Sequence, residues 1–160
     1  MSELIHHLSQ YLPANQIIVD DLRRLAYGTD ASFYRLTPQV IAVVESEADV
    51  RAVLQTARQH ATPVTFRAAG TSLSGQAITN GVLALIGEGF ATCDLNADAS
   101  QVKAGPGIVG GEVNRRLAPF GRKIGPDPAS INACKIGGIA ANNASGMCCG
   151  TAQKDRKSVV

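Results

Sequence analysis

Val40-Ile41-Ala42-Val43-Val44, followed by Ser46-Glu47-Ala48-Asp49 and later by Pro63-Val64-Thr65-Phe66-Arg67, is the stretch that decides the fold. The first run is apolar, mostly β-branched and without polar alternation, which suits a strand buried on both faces. Ser46 opens a capping-box-like start, with Asp49 in the place usually held by Glu or Gln. Val50, Val53, Leu54 and Ala57 then recur at i, i+3, i+4 and i+7, one apolar stripe on a helix of about 12–14 residues. Residues 63–67 form a second short strand. Strand, helix and strand within about 30 residues predict a βαβ unit with a parallel pair, its crossover helix on one face of the sheet.

Upstream, residues 2–12 carry Leu4, Ile5, Leu8 and Leu12 at helical spacing and stop at Pro13, so one helix is predicted there. A second short helix is predicted over 20–26, with Asp20 as N-cap. Downstream, strands are expected at 82–86, around 91–95 and at 101–104. A helix follows over 109–118, with Val109, Val113, Arg116 and Leu117 on one face and Gly121 closing its turn. Pairing is expected to be parallel early and antiparallel later.

Composition bounds the function. The chain has 160 residues, 45% hydrophobic and 18% charged, which fits a globular domain with a core. A formal net charge of +2 and an aromatic content of 4% leave neither a basic footprint nor stacking platforms, so nucleic acid is not an expected partner. No apolar run approaches the roughly 20 residues of a spanning helix, and Met1–Gln10 lacks the order of a secretory signal. The expected location is cytoplasmic, with peripheral association at the inner face of the membrane as an option. Cys93, Cys134, Cys148 and Cys149 form no CxxC, and the three histidines show no metal-ligand spacing. No metal site is expected, and the cysteines read as packing residues. None of the histidines reads as catalytic; His60 follows a helix and suits a partner of its C-terminal dipole.

Glycine is distributed unevenly. Of the 16 glycines only Gly28 precedes Gly70. Four small-residue stretches follow. Arg67-Ala-Ala-Gly-Thr-Ser-Leu-Ser-Gly-Gln-Ala77 comes directly after a strand, where successive N–H groups can converge on phosphate oxygens. It is neither a Walker loop nor a GxGxxG fingerprint. Thr71, Ser72 and Ser74 add hydroxyls, and Arg67 adds charge. Gly105-Pro-Gly107 with Gly110-Gly111 is the second stretch, Gly125-Pro-Asp-Pro-Ala-Ser130 the third, and Cys134-Lys-Ile-Gly-Gly-Ile-Ala-Ala-Asn-Asn-Ala-Ser-Gly146 the fourth. Each alone is compatible with an ordinary turn. Four in one domain point to backbone brought close to a ligand.

Residues 63–77 resemble the pyrophosphate loop of FAD-linked oxidases of the vanillyl-alcohol oxidase type. GPDPAS at 125–130, Ile136-Gly-Gly138 and Asn143-Ala-Ser-Gly-Met-Cys-Cys-Gly150 resemble one branch more closely, the large D-lactate dehydrogenases that couple an FAD domain to an iron–sulfur region. The resemblance covers roughly residues 20–153. It implies an α+β fold: a PCMH-type FAD-binding domain with an N-terminal βαβ subdomain, then a second mixed or antiparallel subdomain, incomplete at the C-terminus. Residues 1–35 are expected as an N-terminal helical segment and 36–153 as the FAD-binding domain. Residues 154–160 lose the small-residue texture abruptly, and Asp155–Val160 reads like a translated sequencing adapter. They are expected to be a non-native tail on a truncated gene.

By position, the resemblance assigns the FAD pyrophosphate to Arg67, Ala68, Ala69, Gly70, Thr71, Ser72, Gly75 and Gln76. It assigns the flavin, ribityl and phosphate parts to Pro126, Asp127, Ser130, Cys134, Gly137, Gly138, Asn142, Ser145 and Gly146. Relatives with covalent flavin carry His where this chain has Thr71, so non-covalent FAD is implied. The implied reaction is oxidation of a 2-hydroxy acid, D-lactate first, to the 2-oxo acid. Electrons then pass to an iron–sulfur region or another acceptor. The proton-accepting and carboxylate-holding residues are implied to lie beyond residue 160, so no catalytic residue is expected in this chain and it is expected to be inactive alone. A non-catalytic nucleotide-binding fragment and a purely structural fragment remain the competing readings.

Overall fold

The computed structural model describes residues 2–146. The Cys148–Cys149 pair and the 154–160 tail lie outside the described residues. The chain divides into two units, residues 1–89 and 90–160.

The first unit contains α1 (Glu3–Leu8), β1 (Ile17–Ile18), α2 (Asp21–Tyr27), β2 (Val40–Val44), α3 (Glu47–Gln59), β3 (Val64–Arg67) and β4 (Val82–Ile86). Its sheet has the order β1-β2-β4-β3, with β1 antiparallel and the other three parallel. The expected βαβ unit is present, but β2 and β3 are not neighbours: β4 lies between them. The sequence carries the reason. Val82-Leu-Ala-Leu-Ile86 is apolar throughout and takes the position paired on both sides. β3, with Thr65, Arg67 and an exposed Phe66, takes the edge.

Ile41 and Leu83 cluster with Ile18, and Tyr27, Val43 and Leu85 pack on them. Val40, Ala42, Val44, Val82 and Ala84 point to the opposite face of the pleat and are fully buried. α3 is capped as expected: the Ser46 side chain accepts from the Asp49 amide. The Asp49 carboxylate accepts in turn from the Glu45 amide at 2.8 Å, one residue earlier than in a capping box. Val53, Thr56 and Ala57 form the buried stripe. Leu54, expected on it, is 43% exposed.

α2 starts one residue after its Asp20 cap, as its sequence predicts. α1 stops at Leu8 instead of running to 12. The Ser9 hydroxyl donates to the His6 carbonyl at 2.7 Å, and the chain turns there. Leu12 still reaches the core, 3% exposed. The lead-in segment is therefore not purely helical, since β1 joins the sheet from within it.

The second unit contains β5 (Cys93–Leu95) antiparallel to β6 (Val102–Ala104), then α4 (Gly110–Leu117) and α5 (Ile136–Ala141). Ala99, Ile108, Val113 and Leu117 form its core, with Cys93, Leu95, Val102 and Ile136 among the side chains packed against it. α4 buries Gly110, Gly111, Val113 and Leu117. Arg116, expected on that face, is exposed, pairs with Glu112 at 3.1 Å and donates to the Cys93 carbonyl. Gly121 has a φ of 66°, the left-handed conformation that closes the turn after α4.

α5 was not expected. Its Gly-Gly pair reads as loop by propensity, yet Ile139 is buried and anchors a helical turn. A Cβ at Gly137 would lie 2.8 Å from the Pro106 Cβ, so packing rather than propensity selects glycine there.

Candidate functional site

β2, β3 and β4 run parallel, so Val44, Arg67 and Ile86 end at one edge of the sheet. Ligands of open parallel sheets bind at such carboxyl ends. The small-residue loop 67–77 leaves from this edge. Gly70 and Gly75 have φ of 71° and 70°, open to glycine at little cost. Residues 68–72 are half-buried. Among the described residues, the amides of Ala69, Gly70, Thr71 and Ser72 meet no hydrogen-bond acceptor. A row of unspent, half-buried donors without a nearby negative side chain in the loop suits an anion.

Other loop groups are already committed. The Ser72 hydroxyl donates to Gln76 Oε1 at 2.8 Å and accepts from the Ser74 and Gln76 amides. Ser72 and Gln76 therefore brace the loop internally. Arg67 does not project its charge from the loop. Its Nη1 donates to the carbonyls of Tyr27, Thr29 and Ala77 at 3.2, 2.7 and 3.4 Å. The guanidinium lies over the Tyr27 ring, 5.3 Å from its centroid. Half burial lowers the Arg67 pKa, and Asp30 and Tyr27 counter it.

Asp30 completes this cluster. Its carboxylate accepts from the Ser32 amide and hydroxyl at 2.9 and 2.5 Å and from the Ala77 amide at 3.4 Å. Partial burial pushes the carboxyl up. The Ser32 and Ala77 donors and the Arg67 charge outweigh it and hold the group below its ordinary range. Sequence reading missed Tyr27, Asp30 and Tyr34. The only local signal was Asp30-x-Ser32, a turn pattern that says nothing about a partner some 40 residues away.

In the second unit the other three stretches form one hydrogen-bonded assembly. Gly105 and Gly107 donate to the Thr92 and Phe90 carbonyls at 2.8 and 3.0 Å. Gly110 and Gly111 donate to Cys134 and Ile131, and Ile136 and Gly137 donate to Ile108 and Pro106, all within 2.8–3.0 Å. The Asp127 amide donates to the Ser145 carbonyl at 2.7 Å, while its carboxylate takes Lys123 at 3.1 Å. The Ser130 carbonyl accepts from Ala133 and Cys134. Gly146 has a φ of 78°, and a Cβ there would overlap the Asp127 carbonyl.

Thus Pro126, Asp127, Ser130, Gly137, Gly138, Asn142, Ser145 and Gly146 belong to contiguous, mutually bonded segments. Asn142 Nδ2 is spent on the Gly138 carbonyl at 3.0 Å. Cys134 is 4% exposed and packs inside. No group of three or more potential metal ligands occurs among the described residues, and no helix there is long and apolar enough to cross a membrane.

A parallel-sheet edge with a cradle of unspent amides is the architecture of a nucleotide-binding domain, and known proteins identify which one. The family model described as FAD binding domain matches residues 38–160, so the chain belongs to the PCMH-type FAD-binding domain family. Glycolate oxidase subunit GlcD of Escherichia coli (strain K12) is 32% identical over 145 residues, 89% of this chain and 29% of the relative. D-2-hydroxyglutarate dehydrogenase of the same organism is 29% identical over 128 residues, 78% of this chain and 13% of the relative. The chain thus spans less than a third of the length of these relatives. A solved structure of alkyldihydroxyacetonephosphate synthase superposes with a TM-score of 0.76 at 19% identity, over 91% of this chain and 30% of the other, which supports the fold.

Proposed function

We propose that this chain is the FAD-binding portion of a flavin-dependent dehydrogenase that oxidises a 2-hydroxy acid to the 2-oxo acid. The observation that carries the reading is the row of amides at 69–72 that meet no acceptor among the described residues, on the carboxyl edge of the parallel sheet. A diphosphate satisfies such donors. The loop's glycines let its oxygens approach the backbone, and the Thr71 hydroxyl adds one more donor. Arg67 acts from behind the loop, fixing its start.

In the second unit, Pro126–Ser130 and 137–146 supply the remaining cofactor contacts in this reading, with Gly137 and Gly138 keeping side chains out of the way. Thr71 stands where the resemblance puts His in relatives with a covalent flavin, so in this reading the FAD is held without a covalent link. The bound flavin supplies the hydride acceptor for the substrate's α-carbon. This chain's own residues bind and orient the cofactor. The proton acceptor and the carboxylate-holding side chains belong to other parts of the enzyme, as does the iron–sulfur region or other acceptor that takes the electrons.

The relatives named above act on glycolate or D-2-hydroxyglutarate by their names. The resemblance of the 125–130 and 143–150 stretches to large D-lactate dehydrogenases puts D-lactate first in this reading. Expressing the gene extended past this chain and assaying D-lactate, glycolate and D-2-hydroxyglutarate with an artificial electron acceptor tests the reading. Turnover of D-lactate above the other two is expected. Turnover of glycolate or D-2-hydroxyglutarate alone corrects the substrate. Flavin binding with no turnover of any 2-hydroxy acid contradicts the dehydrogenase reading and leaves a non-catalytic nucleotide-binding domain.

A further inference from the structure

The segment 27–34 touches the phosphate-loop candidate at every level. Arg67, where the loop starts, donates to the carbonyls of Tyr27 and Thr29. Gly70, beside the unspent amides, accepts from the Ala31 amide at 3.0 Å. A Cβ at Gly75 would lie 3.0 Å from the Tyr34 ring, a tight contact. Ala77, where the loop ends, donates to Asp30 and accepts from Arg67. The two ends of an eleven-residue loop are thus held by two residues of opposite charge, Arg67 through the carbonyls of Tyr27, Thr29 and Ala77 and Asp30 through the Ala77 amide, and neighbours orient both: Ser32 fixes Asp30, and Tyr27 lies against Arg67.

None of these side chains reaches the loop's open donors. A stretch of Gly, Ala, Ser and Thr has little side-chain packing of its own and would lose much backbone freedom on closing around a ligand. Fixing both ends and the middle in the free protein removes part of that loss before binding. The opposite charges also offset one another, so the attraction for an anion is left to the backbone donors.

We infer that Asp30 is a positioning residue for the cofactor: with Arg67 it straps loop 67–77 to segment 27–34 and preforms the amides of 69–72 for a diphosphate. This rests on the reading that the loop receives the FAD diphosphate. The test is Asp30→Asn, which keeps the volume and one acceptor toward Ser32 but loses the charge facing Arg67. FAD affinity is expected to fall about tenfold, the size of one charged hydrogen bond. Affinity for riboflavin, which has no phosphate, is expected to stay within about twofold, since each bond acts locally on the phosphate loop.

Amide exchange in the free protein supplies a second readout. The Ala31 N–H is bonded to Gly70 and not to Asp30, so faster exchange at Ala31 in the variant reports release of the loop. Unchanged FAD affinity, equal losses for FAD and riboflavin, or unchanged exchange at Ala31 each overturns the inference. If the parent protein binds no FAD, the diphosphate reading fails, and exchange at Ala31 alone decides the strap. If Asp30→Asn does not fold, Ser32→Ala, which removes the hydroxyl bond to the carboxylate together with the acceptor of the Tyr34 amide, is expected to move FAD affinity and Ala31 exchange in the same direction by a smaller amount; no change in either overturns it.

Discussion

Loop 67–77 and the glycine-rich segments of the second unit look alike in composition and are held in different ways. The first is braced by side chains, Arg67, Asp30 and Ser72, and leaves four backbone amides without an acceptor among the described residues. The second unit's segments spend their amides on one another: 110 on 134, 111 on 131, 137 on 106 and 127 on 145. Glycine accordingly does two jobs. In loop 67–77 it supplies left-handed backbone and an open cradle. At 110, 111, 137 and 146 it lets two stretches of chain touch. The difference teaches that glycine density locates a site but does not say which glycines face the ligand.

Breaking each region by its own means sharpens the contrast. The largest effect is expected from Arg67→Met, which strands three carbonyls and removes the positive charge that acts on Asp30. The loss is about 2–4 kcal/mol in denaturant unfolding, with FAD affinity falling along with it. A variant as stable as the parent would show that the guanidinium does not hold the loop.

Gly137→Ala comes next, and here the sign decides. Helix propensity alone favours alanine by about 1 kcal/mol. The Pro106 Cβ and carbonyl, 2.8 and 3.0 Å from the added carbon, oppose it. A net destabilisation of about 1–2 kcal/mol is expected by denaturant titration. A more stable protein would mean that the close approach does not select glycine.

The smallest effect is a pH dependence. In the folded protein the Asp30 carboxyl, pushed up by partial burial but held down more strongly by Ser32, Ala77 and Arg67, titrates below its ordinary 3.8. A depressed carboxyl stabilises fully above the unfolded value and stops doing so as pH falls through the folded one. The stability difference between the parent and Asp30→Asn should therefore be constant near neutrality and shrink below about pH 4. Arg67 is the charged group that acts on Asp30, and it stays protonated across that range. A difference that shrinks instead above neutral pH would assign the effect to another group.

What could be read from the sequence was local. Ser46 and Asp20 announce their caps, Val40–Val44 announces a buried strand, and the loop at 67–77 follows a strand as expected. The unread parts depend on distant partners. β4 inserts between β2 and β3 because it is the more apolar strand, a competition no single window displays. The helix at 136–141 exists because Ile139 finds a core and Gly137 finds Pro106. Asp30 and Arg67, 37 positions apart in sequence, both bond Ala77, so neither residue's neighbours reveal the cluster.

The most direct test is a titration of the protein with FAD, followed by flavin absorbance and fluorescence. Binding at micromolar FAD with a perturbed flavin spectrum, competed by inorganic pyrophosphate, is the result the amide cradle predicts. A spectrum that stays that of free flavin throughout would contradict it.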